Sequence, residues 1–253
     1  MPLMGCARVS AVPDEVDRPG SPRWWSARLG AAQPTAGRGR PPVPLERIVD
    51  AALALVDEVG AQEFSMRALA ERLGSSTATL YRRVSGKDEI LTYVADRLLG
   101  EVTAIGRARG PVPTWEAAVI AGAEVLFEVL RAHPKAVVLF LGHVPAGPNA
   151  LRGRESALRA LLAGGLSPEL AALTYTAVAR YVIGFGLQLS EEALTAQATA
   201  DDLRTLYRSL DPERFPATVS VADVLPQSLA EEFQFGLGLL VDGVRRLRDG
   251  QPG

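Results

Sequence analysis

From residue 45 onward the apolar residues return at three- and four-residue intervals, and nowhere do they alternate with polar ones over the length of a strand. Leu45, Ile48, Val49, Ala52, Leu55, Val56 and Val59 outline an amphipathic helix that Gly60 closes. Ser65 stands as an N-cap before Met66, Leu69, Ala70 and Leu73, and Gly74 ends this short second helix. After a three-residue turn, a third short helix is predicted over 77–84. Ser85-Gly86 breaks it, and Lys87 opens a longer helix carrying Ile90, Leu91, Val94, Leu98 and Val102. Beyond Gly110-Pro111-Val112-Pro113 come longer apolar-periodic segments, predicted as helices over 114–132, 134–141, 148–163, 168–189 and 226–248. The polar, Pro-interrupted stretch 190–225 reads as a long connection with one short helix over 201–209.

This pattern predicts an all-α fold in three parts: a disordered tail over 1–43, a small three-helix unit with a helix-turn-helix over 44–100, and a helical bundle over 101–250. The tail is rich in Pro, Gly, Ser, Ala and Arg and has no sustained period; Trp24 and Trp25 are unexpected there and carry no assigned role.

Composition removes several function classes. Cys6 is the single cysteine, so no intramolecular disulfide can form, and His133 and His143 leave little for a structural zinc site. No metal or other cofactor is expected. The start of the chain lacks a charged, then apolar, leader pattern, and the apolar run 136–141 (AVVLFL) is far shorter than the roughly 20 residues that cross a bilayer. A cytoplasmic protein without a membrane partner is therefore expected. The net charge of −2 decides nothing, because nucleic-acid binding needs only a local basic face.

Two short helices joined by a Gly-containing turn let the second enter the major groove while the first braces it, and residues 65–84 have that geometry. Thr77, Ala78 and Thr79 open the second helix. Their small side chains permit close approach, a hydroxyl can bond a base edge, and a methyl can meet a thymine methyl. Tyr81, Arg82, Arg83 and Lys87 follow and can donate to phosphates. Upstream, Arg38-Gly39-Arg40-Pro41 is a flexible basic arm suited to a narrow minor groove, or simply a solvated one. Geometry alone is not decisive, since such helix pairs also occur in bundles that never meet DNA.

The run FSMRALAERLGSSTATLYRRVSGKDEIL closely resembles the recognition region of the tetracycline-repressor (TetR) family, through Leu73-Gly74, Thr79, Leu80-Tyr81, Arg82-Arg83 and Lys87-Asp88-Glu89. The resemblance covers residues 45–100. It implies a homodimeric regulator on palindromic double-stranded DNA. Ser65, Met66 and Arg67 at the start of the bracing helix belong to the implied contact set, Arg67 reaching toward bases. Thr77, Ala78 and Thr79 would read bases, and Ser65, Tyr81, Arg82, Arg83 and Lys87 would hold phosphates.

The C-terminal half is more faintly similar to the effector domain of the tetracycline repressors. The likeness lies in Trp115, the Leu-Gly-His-Val-Pro run at 141–145 and the Leu-Ser-Pro-Glu lead into a long helix. It implies a small-molecule effector held inside the bundle, with Leu126, Leu130, His133, Val137, Phe140, His143, Tyr175, Tyr181, Phe185 and Gln188 as candidate contacts. Thr103 and Phe140 fall where drug-sensing members place metal-binding histidines, so a metal-chelated tetracycline is not the expected ligand. A dimer seam is expected from Leu173, Ala177, Val178 and Tyr181 with Phe233, Leu237, Leu240, Val241 and Val244. Gly184, Gly186, Gly236 and Gly238 would allow close helix approach. Two alternatives stay open: a DNA-binding dimer whose C-terminal half only dimerises or binds a protein, and an all-helical enzyme, against which stands the absence of a zinc, nucleophile-elbow or Walker motif.

Overall fold

The computed structural model describes residues 18–29, 43–141, 144–189 and 196–250. Among these all regular structure is helical: α1 (Pro22–Leu29), α2 (Leu45–Glu63), α3 (Met66–Arg72), α4 (Thr77–Tyr81), α5 (Lys87–Arg109), α6 (Trp115–Ala132), a 3-10 helix (Pro134–Phe140), α7 (Pro148–Ala163), α8 (Pro168–Gly186), a further 3-10 turn (Leu187–Leu189), α9 (Ala196–Ser209), α10 (Pro216–Ser220) and α11 (Leu229–Asp249).

The helix boundaries follow local chemistry. Ser65, Ser76, Thr114, Ser167 and Ser228 each accept a backbone N–H of the first turn they precede, and Glu231 completes a capping box with Ser228. Gly60, at φ 84° and ψ 160°, interrupts α2 where the periodicity predicted its end, and a last turn continues to Glu63. Gly74, at φ 59°, turns the chain between α3 and α4, a conformation that favours glycine. The third helix is shorter than expected, ending at Tyr81.

One apolar cluster runs through both halves. Ile48, Ala52, Val56, Leu69, Leu80 and Ile90 fill the space between α2, α3, α4 and α5, and the same cluster continues into Leu130, Val137, Val182 and Phe233. Position 100, where the sequence put a domain boundary, lies inside α5. This helix runs unbroken for 23 residues, about 34 Å at 1.5 Å per residue. His133, at the end of α6, ties the halves together: its Nδ1 lies 2.9–3.0 Å from the Asp57 carboxylate of α2 and its Nε2 3.3 Å from Glu101 of α5.

Residues 22–29 correct the expectation of a structureless tail. Trp24 and Trp25 are buried and both pack on Tyr93 of α5, with ring centroids 5.6 and 5.8 Å away. Arg28 lies 3.7 Å over the Trp24 ring and donates to Glu89, at 2.9 Å, and to the Tyr93 hydroxyl, at 3.2 Å. Two indoles supply enough apolar area to hold a short helix that has no periodicity of its own.

One helix, Pro168–Leu189, is long and apolar enough to cross a membrane by length and composition, unlike the short run the sequence singled out. Here it packs against α6, α7 and α11, leaving Leu173, Ala177 and Gly184 along one exposed edge.

Candidate nucleic-acid interface and ligand cavity

The helix-turn-helix surface is built over a sealed base. Leu69, Ala70, Leu80 and Val84 point inward with Phe64 and Ile90 beneath them. Arg67, Thr77, Ala78, Tyr81, Arg82 and Arg83 therefore face out, all exposed, with Thr79 half-buried beside them. Tyr81 is 55% exposed, so it is a surface residue rather than part of the small core. Met66 is a correction: its side chain is buried, which removes it from the DNA-facing set. Five of the others, Ser65, Arg67, Thr79, Arg82 and Lys87, are held by internal bonds. Arg67 pairs with Glu71 at 3.0 Å, Arg82 donates to Thr79 Oγ1 at 3.0 Å, and Ser76 Oγ lies 3.0 Å from the same hydroxyl. Lys87 Nζ donates to the Gln62 carbonyl at 2.7 Å, which leaves two of its three donors. Ser65 uses a hydroxyl lone pair on the Ala68 N–H cap. Arg38 and Arg40 lie outside the described residues.

Glu89 fixes this surface to α5. It is buried, yet accepts from Ser85 N at 2.8 Å, Ser85 Oγ at 2.6 Å, Arg28 at 2.9 Å and Tyr93 Oη at 3.0 Å. Burial pushes its carboxyl up, but these donors outweigh burial and hold it below the ordinary glutamate value. The turn after α4 is thereby bonded to the first turn of α5.

Further along, α5 borders a cavity of about 210 Å3 that lies between α5, α6, α7 and α8. Leu99, Val102 and Thr103 of α5 form one wall. Of the expected ligand contacts, Leu126, Phe140 and Tyr175 line it. The others need correction. Leu130 and Val137 are sealed in the core, with Leu130 Cδ1 so near Gly186 that a Cβ there would come within 2.7 Å. Tyr181 packs tilted and Phe185 edge-on against the Phe233 ring between α8 and α11, the Tyr181 hydroxyl donating to the Phe233 carbonyl at 2.7 Å. Gln188 is exposed and His133 braces α2 and α5. His143 lies outside the described residues. Sequence reasoning passed over Asn149, Arg154 and Thr174, because polar residues on otherwise amphipathic helices read as ordinary surface.

The cavity rim is bonded to α5. Buried Asp96 accepts from Ala150 N at 3.0 Å, Asn149 N at 3.1 Å and Asn149 Nδ2 at 3.0 Å, so an α5 carboxylate caps the start of α7. Among the described residues no group of three or more His, Cys, Asp or Glu side chains is placed to hold a metal ion.

Residues 48–94 match the family model for bacterial regulatory proteins of the tetR family, and residues 110–248 match that for the tetracyclin repressor-like C-terminal domain. An HTH-type transcriptional regulator of Saccharopolyspora erythraea is 38% identical over 175 residues, covering 66% of this chain and 72% of the relative. The HTH-type transcriptional repressor DrrR1 of Streptomyces coeruleorubidus is 30% identical, covering 82% and 79%. The TetR family protein ActR of Streptomyces coelicolor, solved in complex with actinorhodin, superposes with a TM-score of 0.73 at 31% identity, covering 83% of this chain and all of that one. Helix-turn-helix, long connecting helix and C-terminal bundle thus share one evolutionary origin with these regulators, and the chain belongs to the TetR family of bacterial transcriptional regulators.

Proposed function

We propose that the protein is a cytoplasmic repressor that binds a palindromic operator as a homodimer and leaves it when a small molecule enters the cavity. Arg67, Thr77, Ala78 and Thr79 read bases, while Ser65, Tyr81, Arg82, Arg83 and Lys87 hold phosphates. The observation that carries this reading is the continuity of α5, whose first turn is bonded to the recognition turn through Glu89 and whose fourth and fifth turns wall the cavity. A ligand that favours another position of Leu99, Val102 and Thr103 moves the recognition helix with them and changes the spacing between two heads. A relative carrying the name repressor and the ligand-bound structures of ActR support both halves of the reading.

The homodimer rests on α8 and α11. Phe233, Leu237 and Val241, expected in the seam, are buried within the single chain, and a Cβ at Gly236 would run into the Tyr181 ring of the same chain. The opposite faces stay open. Leu173 is 62% exposed, Phe235 71% and Leu239 58%, and a Cβ at Gly184 or Gly238 would meet nothing within 4 Å. The seam keeps the expected α8 edge at Leu173 and Ala177 and turns α11 to its other face, where Phe235 and Leu239 offer apolar surface suited to a second copy.

Selection of bound DNA from a random pool tests the reading. An enriched two-fold symmetric sequence is the expected result; no enrichment at any salt concentration would remove the operator reading.

A further inference from the structure

The walls of the cavity restrict what can occupy it. Arg154 is the charged residue among its lining, which otherwise contains no Asp, Glu, Lys or His. Its guanidinium is half-buried, donates one bond to the Pro145 carbonyl at 2.7 Å and lies 5.7 Å over the Tyr175 ring. No carboxylate pairs with it among the described residues, so a partly desolvated cation with five N–H donors faces an apolar space with most of them unused. Also in the cavity lining, on α8, Thr174 is 4% exposed and its hydroxyl has no hydrogen-bond partner among the described residues. A buried polar group left unpaired costs about 1–3 kcal/mol.

The approach to the cavity carries the same sign. A wider cleft of about 570 Å3 shares Val102, Thr103, Gly122 and Gly153 with the inner space and is lined in addition by Arg107, Arg109 and Arg152, again with no acidic residue. Arg109 is neutralised by Glu128 at 2.6 Å, whereas Arg107 has no carboxylate partner among the described residues. An arginine-lined mouth leading to an arginine-bearing chamber attracts anions and discriminates against cations. Shape adds a second restriction. Ala118 and Gly122 on α6 face Gly153 and Ala157 on α7, so two walls present almost no side chain and leave a slot.

We propose that the effector is an amphipathic organic carboxylate whose flat apolar body fills the slot between α6 and α7 and whose carboxylate is held by Arg154. The inference rests on the reading of this cavity as the effector site. Thr174, by rotation about its χ1, supplies a further donor to the same cavity. A planar guanidinium anchored to the Pro145 carbonyl beside Tyr175 suits two-point bonding of a carboxylate better than a flexible ammonium.

The test uses the full-length protein and two fluorescent probes of the same shape, anthracene-2-carboxylate and its uncharged amide, titrated into wild type and into R154M, R154K and G122W. Wild type is expected to bind the carboxylate at least about tenfold more tightly than the amide, the size of one charge-assisted contact. R154M should bring the two probes to within about threefold, R154K should keep part of the preference, and G122W, whose indole fills the slot, should lose both. Equal affinities in wild type, or an undiminished preference in R154M, would overturn the carboxylate inference while leaving the cavity as an uncharged-ligand site. Failure of wild type to bind either probe overturns both the inference and the cavity as the site for a ligand of this shape.

Discussion

At the scale of single residues, the DNA-facing surface divides into side chains with free donors and side chains already engaged. Arg83 has no ion-pair partner among the described residues, Arg82 is bonded only to Thr79, and Arg67 is bound to Glu71. Replacing Arg82 and Arg83 together with alanine should weaken binding to every DNA sequence alike. It should also flatten the slope of log affinity against log salt by about 0.9 for each phosphate that is no longer neutralised, read by fluorescence anisotropy across a salt series; an unchanged slope would refute the phosphate assignment. Glu89 gives a prediction of the opposite kind, on stability. Its carboxyl is held low in the folded protein, so its contribution is complete above the ordinary glutamate pKa of about 4.3 and is lost as pH falls through the lower folded value. Glu89→Gln should cost roughly 1–3 kcal/mol at pH 7, since an amide cannot accept from all four donors. The gap to wild type in urea melts should narrow below pH 4 and not above it. A gap that stayed constant to pH 3 would mean that the carboxylate is not held by these donors.

At the scale of elements, the legible part of the chain was the part with local causes. Gly60, Gly74, the serine caps and the 3.6-residue rhythm of α2, α5, α6, α7 and α11 all announce themselves within a few residues. The illegible part depends on partners far away in sequence. Eight residues of α1 have no rhythm to read, and what holds them is Tyr93 and the loop at Gly147, 68 and 122 positions from Trp25. Leu130 and Val137 carry the right chemistry for a ligand wall, but only the packing of Gly186 against Leu130 reveals that they are sealed from it. Gly147 makes the cost of such close approach measurable. A Cβ there would overlap the Asp96 carboxylate and lie 2.8 Å from Trp25 Cζ2, so all three elements, α1, α5 and the start of α7, meet with no space left. Gly147→Ala should destabilise the protein by about 1–3 kcal/mol through forced separation. It should also free α1, seen as faster amide exchange at Trp24 and Trp25; unchanged exchange there would show that α1 docks independently of the α5–α7 junction.

At the scale of the whole molecule, one recognition helix reads too little DNA for a specific site, and the two-fold seam proposed above would turn two weak readers into one strong one. Two heads on a palindrome must sit about 34–36 Å apart, a spacing that pairing through α8 and α11 would set. Phe235 lies in the middle of the exposed edge of α11 at 71% exposure, one turn before Leu239 and on the face opposite the buried Phe233 and Leu237. Because it touches little of its own chain, Phe235→Glu should leave the fold intact. Across a two-fold axis, however, it sets two carboxylates close together in an apolar seam, which is strongly unfavourable. Sedimentation equilibrium should then find monomer where wild type is dimer, and thermal unfolding at low concentration should change little. Operator affinity should fall by a factor on the order of 10² or more, because the second head no longer binds at the effective concentration that linkage provides. A variant that remained dimeric with full operator affinity would place the seam elsewhere on the surface. One that became monomeric yet kept full affinity would show instead that a single head suffices, and that the spacing of paired heads is not what the ligand controls.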